Sequence, residues 1–115
     1  MTRTTIVAAA LLTLAVAVPT ASAVAAVDAY GGGAHGWSPA QNDRGRVAVK
    51  DNSSDGDPVK AEYYRISNVG AKKTLWNHSG PGTTSYSADG GEITQFKVCD
   101  ENYGAPDDCS GWKFP

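Results

Sequence analysis

Apolar and polar residues alternate in short runs along most of the chain, and turn-forming clusters separate the runs. Residues 46–50 (RVAVK) read as a half-buried strand with Val47 and Val49 inward. Residues 59–66 (VKAEYYRI) place Val59, Ala61 and Tyr63 on one face. Tyr64 and Ile66 fall on the other, so this strand is expected to be covered on both sides or bulged. Residues 72–76 form a third strand with Leu75 inward, 83–87 a fourth, and 92–99 a fifth with Phe96 and Val98 inward. Residues 109–114 close the series, with Trp112 and Phe114 on the core side. Between them lie 51–58 (DNSSDGDP), Asn68-Val69-Gly70, 78–82 and Asp89-Gly90-Gly91, all turn chemistry. Turns about every ten residues and no helical period predict an all-β fold: a small antiparallel β-sandwich, Ig-like, of about six or seven short strands over 46–115.

Residues 24–45 break the pattern. Gly31-Gly32-Gly33, Pro39 and Asn42-Asp43 predict a flexible Gly-rich N-terminal arm, with Trp37 pinned to the body. Residues 1–23 read differently again. Arg3 precedes a charge-free apolar run from 6 to 18, then Pro19 and Ala21-Ser22-Ala23. Those are the three parts of a secretory signal peptide, cleaved after Ala23 or at the nearby Ala25 or Ala26. The apolar run is too short for a hydrocarbon core of about 30 Å, so no membrane insertion is expected after cleavage. The expected location is secreted, extracellular.

Export changes how the two cysteines are read. Cys99 and Cys109 are expected to form one disulfide closing a short loop, because an exported chain meets an oxidising medium. A staple is needed. Beyond the leader the core draws on one leucine (Leu75) and two isoleucines (Ile66, Ile93), and small cores leave little net stability. No C-x-x-C motif suggests redox work, and two cysteines with His35 and His78 do not make a zinc set. The 115 residues bound one domain, expected to be a monomer, and the formal charge of −2 gives no electrostatic case for nucleic acid.

Val47/Val49/Asp51, Asp55-Gly56, Ala61-Glu62-Tyr63, the run from Leu75 to Thr83 and the closing run from Lys97 to Trp112 resemble a group of small secreted actinobacterial (Streptomyces-type) proteins of unassigned function. The resemblance spans most of 24–115 and rests on framework residues. It implies secretion and an all-β body, and no chemistry.

Four constellations are candidates for function. Asp51, Ser53, Asp55 and Glu62, with Gly56, fit the calcium-loop spacing D-x-S-x-D-G-x5-E. Against it, Val59 lacks a ligand oxygen and the flanks read as strands. Calcium is the one cofactor the sequence suggests; otherwise none is expected. Asp100, Glu101, Asp107 and Asp108 read as a solubilising loop around the disulfide. The histidines and nearby serines lack any nucleophile elbow or zincin motif, so no catalytic residue is expected. The aromatics mostly replace missing leucines, with Tyr63, Phe96, Trp112 and Phe114 as core. Trp37, Tyr64, Trp76 and Tyr86 are the candidate ligand-binding rings. The expected function is a non-enzymatic binding domain for a cell-wall or environmental glycan or a protein. The alternatives are a small secreted inhibitor or antimicrobial effector and, last, a minimal hydrolase.

Overall fold

The computed structural model describes residues 24–115. The expected leader, 1–23, lies outside the described residues. Eight strands make two antiparallel sheets of four. In chain order they are β1 (Val27–Gly31), β2 (Ala34–Ser38), β3 (Ala48–Asp51), β4 (Val59–Arg65), β5 (Asn68–Asn77), β6 (Thr84–Tyr86), β7 (Ile93–Asp100) and β8 (Asp108–Cys109). The sheet orders are β1-β2-β3-β6 and β5-β4-β7-β8. With β1 set aside, the neighbours match the A-B-E and C′-C-F-G sheets of an immunoglobulin-like sandwich. No helix among the described residues is long and apolar enough to cross a membrane.

Strand alternation builds the core. Ala29, Ala34, Val47 and Val49 face inward from the first sheet, and Val59, Ala61, Tyr63, Phe96 and Val98 from the second. Most of these side chains are small, so the sheets must approach closely. Gly36 permits this: a Cβ there would run into Val98 Cγ1 and lie 2.9 Å from the Ala48 carbonyl oxygen. The β4 bulge falls at its C-terminal end, between Tyr64 and Arg65. It turns Arg65 into a buried position where the guanidinium donates to the carbonyls of Gly45, Gly91 and Ala88 at 2.7–2.8 Å. One side chain thus anchors the 44–45 and 88–91 segments. Asn77, 1% exposed, does similar work at the other end, donating to the Val49 and Thr83 carbonyls.

Three expectations are corrected. The 24–45 segment is no arm: residues 27–38 of it are the β1–β2 hairpin, turned at Gly32-Gly33 and paired onto β3. Gly32 takes φ +56°, a backbone that glycine adopts without penalty. Asn68-Val69-Gly70 is strand, because the β4–β5 hairpin turns earlier, at Ile66-Ser67. Lastly, Phe114 is outside the core at 69% exposure, and Trp112 is only half-buried. The cause is register. β7 pairs Cys99 with Cys109, but Phe96 bridges Lys113 rather than Trp112. The extra residue is absorbed at Ser110, whose Oγ accepts the Val98 N–H at 3.0 Å. A slip of one residue reverses the face of everything beyond it, so Trp112 and Phe114 turn outward.

The disulfide joins Cys99 to Cys109, directly opposite partners on β7 and β8, with Cα atoms 4.0 Å apart. It lies within one sheet and does not tie the two sheets together.

Candidate functional site

The outer face of the first sheet carries two cross-strand rows. One runs Asp28–Trp37–Ala48–Tyr86 and the other Tyr30–His35–Lys50–Thr84. Side chains two apart on a strand share a face, so the β1–β2 pairing sets the aromatic groups side by side. Tyr30 stacks on His35 with centroids 4.3 Å apart and planes 7° apart. His35 lies 4.9 Å from Trp37, and Trp37 meets Tyr86 edge to face at 6.4 Å. His35 Nε2 sits 2.8 Å from Asp28 Oδ1, which fixes the imidazole in the strip. The result is a continuous aromatic strip crossing the sheet, with Tyr30 and Tyr86 exposed at its ends.

Of the four expected rings, the structure brings Trp37 and Tyr86 together and leaves Tyr64 and Trp76 on the other sheet. There Trp76 lies under Lys60 Nζ at 5.1 Å and stacks on His78. Tyr64 tilts against Trp112, which is itself covered by Lys97 Nζ at 5.0 Å. Sequence reading missed Tyr30 and His35 as members of a site. The signal was present: Gly32-Gly33 between V-D-A-Y-G and A-H-G-W-S is a two-residue hairpin turn flanked by period-two runs.

Between Trp76 and Trp112 the second face is charged. Glu62 lies 3.3 Å from Lys72 Nζ and 3.6 Å from both Lys97 Nζ and Lys60 Nζ. Burial pushes the Glu62 carboxyl up, and the Lys72 hydrogen bond with the three positive charges outweighs it, holding the group below its ordinary range. Lys60 also reaches Glu101 and Asp107, at 3.7 and 3.3 Å. These two acids are therefore ion-paired and not simply solvated.

This arrangement decides the expected calcium set. Glu62 points to the outer face, held among lysines, away from the interior where Asp51 ends β3. Asp51 is 1% exposed, and its Oδ1 accepts the Ser53 N–H at 2.9 Å. The Asp57 N–H is the largest influence on Asp55 and holds its carboxyl low. Among the described residues no group of three or more His, Cys, Asp or Glu side chains is placed to hold a metal ion. Asp51, Asp57, Pro58, His78 and Pro81 line a pocket of about 140 Å³, well below the ~300 Å³ at which small-molecule sites begin.

Compared with known protein families, curated proteins and solved structures, the chain matches none.

Proposed function

We propose that the chain is an exported, non-enzymatic binding domain that holds a glycan on the strip formed by Tyr30, His35, Trp37 and Tyr86. The strip itself carries the reading. The stacked Tyr30–His35 pair, continued by Trp37 tilted against it and Tyr86 edge-on to Trp37, offers broad apolar contact to the C–H faces of sugars. Asp28 and Lys50, on the same rows, offer hydrogen bonds to hydroxyl groups. Export rests on the leader-like anatomy of 1–23 and fits a body closed by one disulfide. The reading needs no cofactor and no catalytic residue.

The test is a pull-down on insoluble polysaccharides, cellulose, chitin and cell wall among them. Trp37→Ala and Tyr30→Ala are expected to lose retention, and Tyr64→Ala on the opposite face to keep it. Equal retention of all three variants would remove the strip from the function. Failure of the unaltered chain to bind any of the solids would remove the glycan.

A further inference from the structure

One charge on the outer face of the first sheet has no counterpart. Apart from the tyrosines, the two rows of that face carry Asp28, His35 and Lys50 as their ionisable groups. Asp28 is matched within the face, its Oδ1 lying 2.8 Å from His35 Nε2. Lys50, half-buried on β3, forms no ion pair among the described residues. The lysines of the opposite face differ: Lys60, Lys72 and Lys97 each lie 3.3–3.6 Å from Glu62. Register sets Lys50 between His35 and Thr84, one strand spacing of about 4.8 Å from the histidine backbone. Asp28 is two strands away on β1, and the next acid along β3, Asp51, is turned inward and 1% exposed.

We infer, resting on the glycan reading of the strip, that the glycan is acidic and built from sugars that carry a carboxylate on the ring, as uronic acids do. Aromatic contact covers the C–H face of a sugar whatever its charge. Lys50 supplies the discrimination. An ammonium partly withdrawn from water beside aromatic rings attracts an anion more strongly than one in bulk solvent, and this one has no internal carboxylate for a ligand to displace. A sugar lying along Tyr30, His35 and Trp37 turns one ring edge to the β3 side, where Lys50 stands. The ammonium is a compact point charge with three donors, so it meets a carboxylate and a neighbouring hydroxyl together. Asp28 does not oppose this, because it lies at the β1 edge and is engaged by His35. With the whole chain at a formal charge of −2, long-range attraction of a polyanion is weak. The preference therefore comes from a single contact and is modest in size.

The test is binding of polygalacturonate and of alginate, each compared with its own ester, in which the carboxylate is masked and the ring kept. Titration calorimetry measures the affinities, and circular dichroism verifies that each variant is folded. The unaltered chain should bind at least one acid form about three- to fivefold more tightly than its ester, the size of one partly exposed ion pair. That preference should shrink as sodium chloride rises from about 0.05 to about 0.5 M. Lys50→Gln should erase it and Lys50→Arg should keep it. Lys73→Gln, which removes an exposed charge from the other sheet, should also keep it. Equal binding of acid and ester, or retention on neutral polysaccharides alone, overturns the inference, and so does a preference that survives Lys50→Gln. In those cases the glycan reading still stands if Trp37→Ala abolishes binding. Binding to no polysaccharide, neutral or acidic, overturns both.

Discussion

Trp37 and Tyr86 meet edge to face from strands that are not neighbours. β3 runs between them, and its Ala48 is the register partner of both. Ala48 is fully buried although it points to the outer face, because the two rings close over it. The contact therefore serves packing as well as the strip. Tyr86→Ala should cost about 1 kcal/mol, and a double-mutant cycle with Trp37→Ala should return a coupling of about 0.5–1.5 kcal/mol. Chemical denaturation followed by tryptophan fluorescence measures both. A coupling near zero would mean that the rings merely lie close to each other.

Arg65 is the next most exacting position. Its guanidinium serves three carbonyls from two loops and lies against the Tyr63 ring at 5.3 Å. A planar fork meets this geometry and a single ammonium does not. Arg65→Met should destabilise by roughly 2–4 kcal/mol, leaving buried acceptors unpaired, and Arg65→Lys should recover less than half of the loss. Urea unfolding of the two variants checks this. Full recovery by lysine would show that charge alone matters.

The sandwich body was legible because its strands obey period two: Val47/Val49, Val59/Ala61/Tyr63 and Phe96/Val98 are inward as their spacing demands. Cys99 and Cys109 were legible from redox logic and separation. What escaped has physical causes. The glycine triplet of 31–33 looks like loss of order by composition, yet it supplies a tight turn and close backbone approach for β1 and β2. Phe114 was misplaced because the slip at Ser110 is produced by a side-chain hydroxyl standing in for a backbone acceptor, and no hydrophobic pattern records that. Tyr30 and His35 joined the strip only once the hairpin was in place. The inward turn of Asp100 follows from β7 parity with Phe96 and Val98, but the strand's apolar pattern ends before it.

Acid should weaken the fold through the second sheet. Glu62 is held below its ordinary range in the folded chain. A depressed carboxylate contributes stability that is complete above its unfolded value, about 4.3, and is lost as pH falls through the folded one. The melting temperature should therefore drop below about pH 4, and Glu62→Gln should lower it at neutral pH while flattening the acid slope. At the alkaline end the sign reverses for Lys60. Burial lowers it, and Asp107, Glu62 and Glu101 together raise it above its ordinary value. Its contribution is full below the unfolded value, about 10.4, and goes as pH rises through the folded one. Melting curves from pH 2 to 11 decide both, and an unchanged acid slope in Glu62→Gln would assign the loss to other carboxylates.

The closest approach of the sheets offers a test of the thin core. Replacing a strand glycine with alanine normally stabilises, by about 0.5–1 kcal/mol, through the entropy of the unfolded chain. At Gly36 the sign should reverse. The new methyl would collide with Val98 Cγ1 and stand 2.9 Å from the Ala48 carbonyl oxygen, a backbone atom that cannot step aside. Overpacking of this kind costs about 1–3 kcal/mol. Val98→Ala alone opens a cavity and destabilises as well. The two losses should not add: with Val98 shortened, the methyl on Gly36 occupies part of the vacated space and only the Ala48 contact remains. The double variant should be more stable than additivity predicts by at least about 0.5 kcal/mol, the smallest coupling expected of residues in direct contact. Denaturant unfolding of the two single variants and the double variant measures it. Simple additivity would mean that the sheets separate to admit the methyl, and that Gly36 does not set their spacing.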